Sequence, residues 1–119
     1  MNQLLAIFIG GGLGSLCRFG VSRLFLMLSS SSLPWATLGS NVLSTAVLGW
    51  VMIRFSNIQH VWLTFLAIGF CGGFSTFSTF SYETFQLARN GQLFWAILNV
   101  LVSVSLCVLI LFVISKLSK

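Results

Sequence analysis

The sequence predicts an all-α integral membrane protein: four transmembrane helices with a broken third helix, assembled as an antiparallel, dual-topology homodimer. Composition points there first. Of 119 residues, 57% are hydrophobic and 6% charged, and the mean hydropathy is +1.04. A soluble domain needs about a quarter of its residues charged to cover its surface. The charges are also widely spaced, with no formally charged side chain in 24–53, 55–82 or 90–115. Each stretch exceeds the ~20 residues that cross a bilayer as helix. The third observation is a glycine pair followed by hydroxyl and phenylalanine residues within one of those stretches.

The four segments read as 3–28, 35–55, 59–89 and 92–116, a single domain over 1–119 with no room for an extramembrane unit. The first begins almost at Met1. No Lys or Arg precedes Arg18, and the apolar run continues through Gly20, Val21 and Leu24, so it reads as a retained span, not a cleaved signal peptide. Gly10, Gly14 and Arg18 recur every four residues and share one helical face. A charge at membrane depth needs a partner. Glu83 is the only acidic residue in the chain and is the partner expected for Arg18, the two forming a buried structural charge pair.

The second segment opens after four serines, Ser29 to Ser32, and Leu33, with Pro34 suited to a helix start. Thr37, Asn41 and Ser44 lie on one of its faces. Asn57 and Gln59 mark the next connection, and Asn90-Gly91 is a turn signal before the fourth segment. In that segment Asn99 and Ser103 are again four apart. Such stripes serve either as glue between helices or as the lining of a pathway.

The third segment tips that balance. As continuous helix its 31 residues (59–89) would run about 46 Å, against a hydrocarbon core of about 30 Å. Gly69, Gly72 and Gly73 are poor helix formers, and Ser75 and Thr76 compete for backbone hydrogen bonds. The reading is a break near 72–76. Carbonyls freed by a break can hold a cation, and amides opening the following helix favour an anion. Past the break, Phe77 and Phe80 share a face beside Ser78, Thr79 and Tyr82. Ring edges are electropositive, so this lining suits a small anion.

Four spans put the termini and the second connection on one side, with Arg54, Lys116 and Lys119, and Arg23 and Arg89 on the other. Three against two is a weak instruction under the positive-inside rule, hence insertion in both orientations. The net charge of +5 is scattered singly at span ends and does not form a nucleic-acid patch. Cys17, Cys71 and Cys107 have neither zinc nor disulfide spacing. The lone His60 stands at a span start with no nucleophile beside it, so the chain is not read as an enzyme.

The run Gly-Phe-Cys-Gly-Gly-Phe-Ser-Thr-Phe-Ser-Thr-Phe at 69–80 closely resembles the signature of the CrcB (Fluc) fluoride channels. Gly-Gly-Leu-Gly-Ser-Leu-Cys-Arg-Phe at 11–19 and Thr-Leu-Gly-Ser-Asn at 37–41 agree with it, and the resemblance extends over the whole chain in length, span count and motif order. It implies a dual-topology dimer in the inner (plasma) membrane that exports fluoride passively through two antiparallel pores. It also implies a structural sodium ion at the dimer centre. Carried over, the backbone carbonyls of Gly72 and Ser75 are the sodium ligands. Phe77 and Phe80 are the pore phenylalanines, Asn41 a pore-lining amide, and Ser78, Thr79 and Ser103 the polar track. The family often has Thr-Thr before the first pore phenylalanine; here it is Ser75-Thr76. Two other classes use four spans: a proton-coupled multidrug exporter and a helix-packing accessory subunit. The exporter needs an acid deep in the first span, where this chain has none.

Overall fold

A computed structural model describes residues 2–29, 33–55 and 57–118. Among these described residues, four helical passages are long and apolar enough to cross a membrane: Gln3–Leu28, Trp35–Arg54, His60–Arg89 and Leu93–Leu117. The first, second and fourth are single helices, here α1, α2 and α6. The third comprises α3 (His60–Leu63), a π-helical segment (Thr64–Phe70), α4 (Cys71–Phe74) and α5 (Phe77–Arg89). Part of the serine run separating the first two passages lies outside the described residues.

The interior is built mostly of small side chains, and most large ones point outward, Phe74 and Leu87 being buried exceptions. Ala6, Gly10, Gly14, Ser40, Ser44, Ala96 and Ser103 are buried, whereas Phe8, Leu16, Met27, Phe94, Leu109 and Phe112 are exposed. In water this would be inside out. In lipid, apolar side chains gain nothing by leaving the acyl chains, and helices associate where small residues let backbones approach.

That approach is closest between α1 and the third passage. A Cβ added at Gly10 would lie 2.5 Å from the Phe65 carbonyl oxygen, and one at Gly14 would lie 2.8 Å from the Phe74 nitrogen and against the Phe70 carbonyl. Higher residues on α1 meet higher residues on the third passage, so the two run parallel. Val21 and Phe25 of α1 pack on Gly39 of α2, which descends antiparallel to it, while α6 descends beside α2 with Leu111 and Ile114 against Gly49.

The π-helical winding is absent from the sequence expectations. Within it the Cys71 amide bonds back to the Leu66 carbonyl, five residues away. The glycines expected to break the helix do not: Gly69 lies in the π-helical segment and Gly72 and Gly73 in α4. Helical geometry instead stops after Phe74, where Ser75 (φ −83°, ψ 158°) and Thr76 (φ −151°, ψ 118°) are extended, and resumes at Phe77. At Gly69 and Gly73 the cost of glycine in a helix, ~1 kcal/mol, is offset by close backbone packing against α1; Gly72 has no such contact.

Candidate functional site

Two side chains replace the missing turn. The Thr76 amide, which in a continuous helix would bond to the Gly72 carbonyl, donates to Asn41 Oδ1 on α2 at 2.8 Å. Asn41 Nδ2 returns a longer bond, 3.4 Å, to the Thr76 carbonyl. The Thr79 amide, which would reach back to Ser75, donates to Thr76 Oγ1 at 3.2 Å and makes that threonine the N-cap of α5. Both Gly72 and Ser75 therefore have carbonyls outside the helical ladder. A built Cβ at Gly72 meets nothing within 4 Å among the described residues.

Below the interruption the Cys71 carbonyl takes the load. It accepts from the Ser75 amide at 3.0 Å, Ser75 Oγ at 2.8 Å and Ser44 Oγ of α2 at 2.9 Å. The α2 stripe read from the sequence is thus spent largely on the third passage. Ser44 holds α4 and Asn41 holds the extended pair. One turn from the other end of α2, Thr37 Oγ1 donates to Glu83 Oε1 at 2.7 Å.

That last contact corrects an expectation. Glu83 does not pair with Arg18; its buried Oε2 and the buried Arg18 Nε each lack a hydrogen-bond partner. The reason is height. Gly14 is level with Phe70 and Phe74, so Arg18, one turn on, is level with the extended pair, whereas Glu83 lies about 10 Å farther along α5. Glu83 is also turned toward α2.

Beside the interruption lies a groove of about 260 Å³. Asn41, Ser75, Phe77, Phe80 and Ser103 line it, as do Thr45, Thr76, Val104 and Cys107. Phe77 is 79% exposed, so the groove is open along its α5 side. The Phe77 and Phe80 rings have centroids 5.9 Å apart and planes inclined by 40°. Ser78 and Thr79 are not among the lining residues; Ser78 is exposed, with Oγ 3.3 Å from Thr76 Oγ1.

The donors are arranged so that some remain free. Asn41 has two N–H groups and one loosely held bond, while Thr45 donates to its own helix at the Asn41 carbonyl, 2.7 Å away. Ser103 Oγ donates to Asn99 Oδ1 at 3.4 Å, beyond the usual range. Asn99 in turn donates to Thr84 Oγ1 at 2.9 Å, and Thr84 to the Phe80 carbonyl at 2.8 Å. This series of bonds ties α6 to α5 through Asn99 and Thr84, neither of which lines the groove. Thr45 is not singled out in the sequence and Cys107 is read there only for metal or disulfide spacing, yet each follows a named residue, Asn41 or Ser103, by four. One further turn along each stripe would have found them.

An integral membrane protein with four passages, an interrupted third helix and a polar, phenylalanine-lined groove has the makings of a permeation unit. The family comparison agrees. Residues 5–114 match the model of the CrcB-like protein, Camphor Resistance (CrcB) family, and the chain belongs to that family. It is 44% identical over 112 residues to the "Fluoride-specific ion channel FluC" of Coxiella burnetii (strain Dugway 5J108-111), covering 91% of this chain and 90% of that one. The protein of the same name from Geobacter sulfurreducens is 42% identical over 110 residues, 90% of this chain and 89% of that one. The one from Escherichia fergusonii is 45% identical over 106 residues, 87% and 83%. These relatives are channels by name, and the chain is a multi-pass membrane protein, not an enzyme.

Proposed function

We propose that this chain is a fluoride-selective channel that passes fluoride down its electrochemical gradient. Fluoride crosses membranes as neutral HF and ionises at neutral pH, so a passive anion pore in the inner membrane lets the membrane potential expel it. The observation that carries the reading is the groove, where Asn41, Phe77, Phe80 and Ser103 converge beside the interruption. It offers an amide N–H, a hydroxyl and ring edges, and no carboxylate among its lining residues. Ser78 and Thr79 continue the hydroxyl track along α5.

The working unit we propose is a homodimer of antiparallel copies. The α5 face with Phe77, Tyr82 and Phe85 is exposed, Tyr82 by 60%, and a second copy would cover it and close the groove. Gly72 and Ser75 fit a sodium ion between the copies, because their carbonyls are outside the helical ladder and hard cations take oxygen ligands. A sodium ion held by these carbonyls would supply positive charge at the negative ends of the carbonyl dipoles and would link the copies. Two carbonyls per protomer make four in the pair.

The test is efflux from proteoliposomes read by a fluoride electrode. Rapid fluoride loss with negligible chloride loss supports the channel; well-folded protein that releases no fluoride ends it. C-terminal reporter fusions active on both sides of the membrane support dual topology. Replacement of sodium by N-methylglucamine throughout purification should abolish efflux if the carbonyl site is structural.

A further inference from the structure

A second groove, of about 370 Å³, lies where α2 and α6 end together and is lined by Trp50, Arg54, Ile114, Leu117 and Ser118. It is far from the permeation groove in chemistry as well as place. Arg54 is the last residue of α2, and Ser118 follows the last residue of α6, so the groove sits at the level where acyl chains give way to headgroups. Its floor is aliphatic. Its wall is an indole held edge-on to Phe55, with centroids 4.9 Å apart and planes at 83°. Its rim is the Arg54 guanidinium.

We infer that this groove binds the headgroup of an anionic phospholipid, with Arg54 on the phosphate, Trp50 at the glycerol level and an acyl chain along Ile114 and Leu117. Three features favour that occupant. Guanidinium presents a planar fork that matches phosphate oxygens in a way an ammonium does not. Lys116 lies in the last turn of α6, outside the groove but at the same span end, and each basic side chain near an anionic lipid surface adds about 1 kcal/mol of attraction. None of the residues lining the groove carries a carboxylate side chain. The only acidic side chain in the chain, Glu83, bonds Thr37 in the first turn of α2, about 26 Å away along that helix. At this depth the anion present in quantity is the lipid itself. Ser118 Oγ donates to the Ile114 carbonyl and contributes no donor to the phosphate. The inference does not depend on what the pore conducts.

The experiment uses full-length protein with Trp50 as its sole tryptophan (Trp35→Phe, Trp62→Phe, Trp95→Phe) in phosphatidylcholine vesicles. Brominated phosphatidylglycerol or brominated phosphatidylcholine is titrated in, and Trp50 fluorescence is followed. Half-maximal quenching should come at about a fivefold lower fraction of the brominated glycerol lipid, the preference one basic side chain confers near an anionic surface. Arg54→Gln should bring the two lipids to parity, and Arg23→Gln, at the opposite end, should leave the preference intact. Equal quenching by the two lipids in the parent overturns the proposal, and this arm stands even if Arg54→Gln fails to assemble. Equal losses from Arg54→Gln and Arg23→Gln overturn it too, by showing diffuse surface charge.

Discussion

The two halves of the third passage have adjoining sequences and opposite jobs. Below the interruption, the π-helical segment and α4 are pressed against α1 with Gly69, Cys71 and Phe74 buried. Above it, α5 buries only Leu87 and presents Phe77, Ser78, Ser81, Tyr82 and Phe85 outward. The lower half is held by backbone contact and the upper half by side-chain hydrogen bonds to α2 and α6. In lipid, close backbone contact makes a rigid platform, whereas a hydroxyl surface is unfinished until something polar meets it.

The largest expected effect comes from breaking the platform. Gly14→Leu drives a side chain into the Phe70 carbonyl and the Phe74 nitrogen, 2.8 Å from the built Cβ. Neither is the end of a flexible side chain, so relief requires α1 to move, at about 3 kcal/mol or more. The variant should lose its monodisperse elution in detergent, and with it all efflux. Gly12→Leu on the same helix, where a Cβ meets nothing within 4 Å, should retain both. If Gly14→Leu folds and conducts, the lower half is not the platform described.

Asn41→Asp separates structure from permeation at the seam. The carboxylate still accepts from the Thr76 amide, replacing the 2.8 Å bond, but loses the N–H groups that face the groove. A fixed negative charge there should slow fluoride efflux by about two to three orders of magnitude, judged from charge repulsion at an intermediate dielectric. Thermal stability should fall little. Parallel loss of stability and efflux would make Asn41 a structural clip and nothing more.

Phe80→Ile tests the upper half alone. Isoleucine keeps the bulk but removes the ring edge and the contact to Phe77 at 5.9 Å. An aromatic contribution of ~1 kcal/mol predicts a drop in fluoride efflux of about five- to tenfold with the elution profile unchanged. A variant that conducts at the parental rate would remove the rings from the anion path.

How much of this was legible beforehand follows the same division. The spans were readable because lipid penalises charge, and gaps between charges are visible in one dimension. The interruption falls inside the expected 72–76, at the hydroxyl pair Ser75 and Thr76, while Gly72 and Gly73 stay helical. The seam depends instead on Asn41, remote in sequence, taking the Thr76 amide. Arg18 and Glu83 were paired by sign, yet height along parallel helices decided otherwise. The π-helical winding left no sequence signal, because it arises from how the backbone of residues 64–70 seats against α1.

The smallest predicted effect is the most local. Thr76 Oγ1 caps α5 by accepting from the Thr79 amide at 3.2 Å. Thr76→Val removes the acceptor, costs ~1 kcal/mol as an N-cap loss, and frees the Thr79 amide to reach back to the Ser75 carbonyl. The helix would then regrow toward the seam and reclaim an oxygen proposed for sodium. The sodium concentration needed for half-maximal efflux should rise about fivefold, the same free energy expressed as affinity. Thr76→Ser keeps the hydroxyl and should behave as the parent. If the valine and serine variants share one sodium dependence, the cap does not control that carbonyl and the coupling between the two halves runs through Asn41 alone.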